Sequence, residues 1–150
     1  MPVPGFTDNG LLPSGVHGCT LEEAKQALCM NDRRVEIWTG LLGFVVWTQP
    51  LPKPDALLVD GSYVTDKPLP GDVDLVVDIT SMTDAEQRQW FETWNAQHEF
   101  VRRTYHVDFY PFVIGAGNDF STFFQYVRVE EALKRGISPA VKKGILRIQV

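Results

Sequence analysis

The chain has 150 residues, of which 44% are hydrophobic and 22% charged, and a formal net charge of −5. That length suits one domain with its own hydrophobic core, and the composition excludes disordered, collagen-like and coiled-coil classes. The acidic balance argues against non-specific DNA binding, which depends on basic surface.

Residues 1–18 are rich in Pro and Gly without periodicity and read as an irregular N-terminal arm. Their start, Met-Pro-Val-Pro-Gly, lacks the basic and apolar regions of a signal peptide, so a cytoplasmic location is expected. Thr20-Leu-Glu-Glu23 is a capping box, and Leu21, Ala24 and Leu28 then fall on one helical face. Asn31 or Asp32 caps a second helix, with Val35, Ile37, Trp38, Leu41, Leu42 and Val45 at three- and four-residue steps. Gly40 and Gly43 weaken its last turn. The uncharged run from Ile37 to Leu51 is too short and too interrupted to span a bilayer, so no membrane partner is expected.

Ala56 to Val59 forms a short apolar strand ending at Asp60-Gly61. Pro68 and Pro70 limit the next stretch to one helical turn after Ser62. Asp72 to Ile79 alternates as a second strand. Thr83 or Asp84 caps a third helix whose buried side carries Trp90, Phe91 and Trp94. Val101 to Phe109 reads as a third strand, ended by Pro111, on which Arg102 and Arg103 alternate faces and His106 shares a face with Asp108. After a turn at Gly115-Ala-Gly117, the spacing of Phe120, Phe123, Phe124 and Tyr126 suits a helix face, with a strand as the alternative. Lys142-Lys143-Gly144 leads into a last strand from Ile145 to Val150. The expected fold is a single α/β (α+β) domain over residues 1–150, a small mixed sheet of about four strands with helices packed on it.

Cys19 and Cys29 make neither a disulfide framework nor a zinc site, and His17, His98 and His106 offer no metal spacing. The chemistry concentrates elsewhere. Asp72 and Asp74 are two apart on a strand, so both carboxylates leave the same face. Side by side they repel unless a cation compensates, a local conflict typical of functional sites. Gly61-Ser62 directly follows an apolar strand, where a glycine lets the backbone approach a ligand and amides opening a helical turn can donate to phosphates. Asp108 sits in the next β-like segment. Rigid carboxylates of this kind are what two-metal phosphoryl chemistry requires.

The order strand, Gly-Ser, loop, Asp-x-Asp strand, helix, third Asp resembles the DNA polymerase β-like nucleotidyltransferase superfamily. The matching residues are Leu58-Val-Asp-Gly-Ser-Tyr-Val-Thr65 and Pro70-Gly-Asp-Val-Asp-Leu-Val76. The whole chain is also similar to a small bacterial and phage branch that opens with a phrase like Gly10-Leu-Leu-Pro-Ser-Gly-Val-His17 and closes near Lys143-Gly-Ile-Leu-Arg147. The resemblance implies a nucleotidyltransferase-like fold and Mg²⁺ or Mn²⁺ held by Asp72, Asp74 and Asp108. It implies an NTP whose phosphates lie on Gly61 and Ser62. Thr65 and Lys67 are further candidates for nucleotide contact, because the arginine that many members carry after Gly-Ser is replaced here by Tyr63, Val64 and Thr65. Lys142 or Lys143 is a second possible source of positive charge. The implied activity is transfer of a nucleoside monophosphate to a hydroxyl of a protein or tRNA, in the manner of the minimal enzymes of toxin–antitoxin pairs or phages. The alternative is a catalytically weak nucleotide-binding or protein-inhibiting module on the same fold. Asp60 reads first as a turn residue and second as a further ligand, and His17 as structural.

Overall fold

The computed structural model describes residues 3–113, 129–138 and 142–150. Its elements in chain order are β1 (Val16–Cys19), α1 (Leu21–Leu28), α2 (Asp32–Trp47), β2 (Ala56–Asp60), β3 (Val73–Asp78), α3 (Asp84–Tyr105), β4 (Val107–Phe112), α4 (Val129–Arg135) and β5 (Ile145–Ile148). A 3₁₀ turn, Gly61–Val64, follows β2. The helices begin where the capping residues stand. Thr20 and Thr83 close full capping boxes with Glu23 and Glu86, and the Asn31 side chain accepts from the Arg34 amide.

Among the described residues the sheet has five strands in the order β1-β5-β2-β3-β4, one more than expected. The additional strand lies in the N-terminal arm. Val16–Cys19 pairs in parallel with β5, although its alternation is too short and too glycine-rich to signal a strand. The arm is not loose elsewhere: Leu11 bridges Thr65, and both Leu11 and Leu12 are buried. β2 runs antiparallel to both β3 and β5, while β3 and β4 are parallel neighbours joined through α3.

One face of the sheet supplies the core. Leu57, Val59, Leu75, Val77, Phe109, Leu146 and Ile148 alternate inward and pack with Leu28, Ile37, Trp38, Leu41, Phe44 and Trp90 of the helices. The intervening residues occupy the opposite face, where Leu58, Val76 and Ile145 form a smaller buried cluster.

Four expectations shift. The segment read as a strand from Val101 is helical through Tyr105, so Arg102 and Arg103 belong to α3 rather than alternating across a sheet. His106 caps that helix in the left-handed region, at φ 57°, and does not share the strand face of Asp108. The β4 ladder then runs past Pro111 to Phe112, because β4 is an edge strand and a proline is tolerated there. Phe91 is exposed, whereas Trp90 is fully buried and donates its Nε1–H to the Pro52 carbonyl. Gly115-Ala-Gly117 and the aromatic stretch from Phe120 to Tyr126 lie outside the described residues.

Candidate functional site

The register of three adjacent strands builds the site. Asp60 at the end of β2 pairs with Asp74 on β3, and Asp74 pairs with Asp108 on β4. Directly opposed residues point to the same face of a sheet, so Asp60, Asp74 and Asp108 form a row on the face opposite the main core. Asp72 stands one residue before β3. Asp72, Asp74 and Asp108 converge: one carboxylate oxygen from each lies within 4.8 Å of the other two.

Like charges so placed disturb their own titration. Burial, followed by the charges of Asp72, Asp108 and Asp60, pushes the Asp74 carboxyl up to about 7, with Lys143 acting in the opposite sense. A carboxylate triad whose central member resists ionising is short of positive charge, and an all-oxygen donor set suits a hard divalent cation such as Mg²⁺ or Mn²⁺. The residues therefore fit the metal that the sequence suggests.

Neighbours hold the triad in place. Tyr110 donates its hydroxyl to Asp108 Oδ2 at 3.0 Å; burial and then the Asp108 charge push the phenol up to about 12. Arg102 Nε lies 3.9 Å from Asp72 Oδ2 at the exposed rim. Gly61 adopts φ +76°, and a Cβ there would strike the Asp74 carboxylate. Only glycine permits that turn to close against the acid.

The site's other candidates separate. Ser62 lies in the 3₁₀ turn beside Gly61. Thr65 is buried, and its hydroxyl donates to the Ser62 carbonyl at 2.7 Å and accepts from the Lys67 amide at 3.2 Å, so it serves the loop itself. Lys67 is exposed, and its carbonyl accepts from Arg34. Lys143 does reach the site, pairing with Asp60 at 3.1 Å with both side chains largely buried. Asp60 is thus a buried member of the acidic row rather than a turn residue. His17 hydrogen-bonds the Pro13 carbonyl at 2.6 Å, a structural contact within the arm.

Arg34 had no place in the motif, yet it is fully buried behind the Gly-Ser turn. Its signal was available: an arginine three, four and seven residues before Ile37, Trp38 and Leu41 stands on the apolar stripe of α2. A cavity of about 280 Å³ lined by Phe44, Leu51, Leu57, Trp90 and Val150 opens among core-side residues and has no part in the acidic row.

Together these features define a mixed α/β protein with an acidic, metal-compatible centre at one end of a five-stranded sheet. The chain belongs to a family of unknown function (DUF6932), whose model matches residues 4–149. No curated protein and no solved structure matches the chain. Among the described residues no helix is long and apolar enough to cross a membrane.

Proposed function

We propose that this chain is a metal-dependent nucleotidyltransferase of the DNA polymerase β-like kind. It would move a nucleoside monophosphate from an NTP to a hydroxyl of a protein or tRNA and release pyrophosphate. The observation that carries the reading is the convergence of Asp72, Asp74 and Asp108 beside Gly61. When bound, Mg²⁺ or Mn²⁺ would neutralise the phosphates and the developing charge of the transition state. Asp72, Asp74 and Asp108 would hold the metal. Asp108, which accepts from the Tyr110 hydroxyl, would also help take the proton of the attacking hydroxyl. Gly61 lets the turn close against Asp74, and the amides of that turn would receive the triphosphate, with Ser62 as an additional donor. Such catalysis consists mainly of positioning and charge neutralisation.

A test is to incubate the protein with each α-labelled NTP, Mg²⁺ or Mn²⁺, and a cell lysate or tRNA pool. Label transfer that disappears in Asp72→Ala and Asp74→Ala supports the reading. Absence of both label transfer and metal-dependent NTP binding by calorimetry overturns it. NTP binding without transfer selects the second reading, a nucleotide-binding or partner-inhibiting module. The commitment of nearby cations favours that module: Lys143 pairs with Asp60, and Arg34 is spent on carbonyl groups.

A further inference from the structure

The loop from Ser62 to Gly71 joins the Gly-Ser turn to the first metal-binding acid; the arm and Arg135 hold its middle at Thr65 and Asp66, and the start of α2 holds both its ends. Arg34 is fully buried, and among the described residues all its hydrogen-bond acceptors are main-chain carbonyls. Its Nε donates to Lys67 O at 3.1 Å. Nη1 donates to Leu28 O and Tyr63 O at 3.1 and 2.8 Å. Nη2 donates to the carbonyls of Thr65 and Lys67, with Ser62 O at 3.5 Å. The guanidinium also lies over the Tyr63 ring, 5.1 Å from its centroid.

Burying a cation without a carboxylate partner is costly, and Leu or Met would fill a core position without that cost. What only arginine supplies is a rigid fork of five N–H donors. Here that fork fixes four carbonyls of one loop. Arg33 secures the loop's other end, donating to Pro70 O and Gly71 O at 3.1 Å each, immediately before Asp72.

We infer that Arg34 and Arg33 are positioning residues for the two halves of the site: Arg34 for the nucleotide turn at Gly61-Ser62, and Arg33 for Asp72. This rests on the nucleotidyltransferase reading. Lysine, with three donors and no fork, cannot replace Arg34.

The experiment compares wild type, Arg34→Lys and Arg33→Gln for Mn²⁺ affinity by electron paramagnetic resonance. The same proteins are measured for MgATP and MgGTP affinity by calorimetry and for amide hydrogen exchange across residues 62–71. Arg34→Lys should weaken NTP binding roughly tenfold or more while leaving Mn²⁺ affinity within about twofold, and should speed exchange at residues 62–67. Arg33→Gln, a change at a partly exposed side chain, should weaken Mn²⁺ roughly tenfold, the scale of losing a group that orients a metal ligand. Wild-type NTP binding unchanged in Arg34→Lys, or Mn²⁺ binding unchanged in Arg33→Gln, overturns the inference alone. Wild-type protein that binds Mn²⁺ but no NTP overturns the functional reading and the nucleotide half of the inference, and Arg33→Gln still decides the metal half. Should Arg34→Lys not fold, wild-type exchange at residues 62–67 as fast as in an unstructured peptide overturns the nucleotide half, and Mn²⁺ binding in Arg33→Gln decides the metal half.

Discussion

Asp74 and Asp108 stand directly opposite each other on the parallel strands β3 and β4, with Asp60 across from Asp74 on its other side. Such a row costs stability whenever Asp74 is ionised. A carboxyl whose folded pKa, about 7, exceeds its ordinary 3.8 makes the fold lose stability as pH rises between those values. In chelator at pH 8, Asp74→Asn should therefore be more stable than wild type by about 1–2 kcal/mol after allowing for solvent screening. That corresponds to a Tm gain of roughly 3–6 °C for a chain of this size. The gain should shrink towards pH 5, where wild-type Asp74 is already protonated. Thermal melts at the two pH values decide it, and equal gains at both would contradict the charge-repulsion account.

Metal binding should carry the same proton. A cation must displace the proton on Asp74, so apparent Mn²⁺ affinity should fall as pH drops below about 7, approaching tenfold per pH unit where one proton is exchanged. Calorimetry in buffers of different ionisation enthalpy would reveal proton release near neutrality. Affinity that stays flat from pH 6 to 8 would mean that no proton leaves Asp74 when the metal binds.

Gly61→Ala tests the turn. The left-handed φ costs a β-carbon about 1 kcal/mol, and contact with the Asp74 carboxylate adds to it. Denaturant midpoints should drop accordingly, and Mn²⁺ affinity should fall as Asp74 is pushed aside. A variant with wild-type metal affinity would show that the turn and the acid adjust independently.

The acidic site was legible because strand alternation is local: Asp74 on β3, Asp72 just before it and the Gly-Ser turn declare themselves within a short stretch of sequence. That Asp108 joins them depends on parallel register across α3, which only the fold supplies. The misplaced boundary before Asp108 has a local cause, since Val101 and Tyr105 suit a strand as readily as a helix packed on one. Gly40 and Gly43 suggested a failing helix end. Instead α2 continues to Trp47, and both glycines make room for Tyr105, whose carbonyl a β-carbon at position 40 would strike. The burial of Arg34 could be read from its place on the apolar stripe of α2, but its acceptors and the pairing of β1 could not, because both lie in residues distant in sequence, the Ser62–Lys67 loop for one and β5 for the other.

Lys143 joins the last strand to the site through Asp60, and the pair can be separated from the triad by a double-mutant cycle. Lys143→Met alone removes a cation that pairs with a buried carboxylate at 3.1 Å and acts on the row that contains Asp74, so it should destabilise the metal-free protein by about 2–3 kcal/mol. It should also raise the pH at which Asp74 ionises, moving the pH dependence of Mn²⁺ binding upwards. Asp60→Asn relieves repulsion within the row but leaves the Lys143 ammonium without its carboxylate. Combining the two substitutions removes both charges, and should recover much of the stability lost in Lys143→Met, with a coupling energy above about 1 kcal/mol. Urea unfolding of the four proteins in chelator measures that coupling. Strictly additive effects would show that the 3.1 Å pair contributes no interaction of its own.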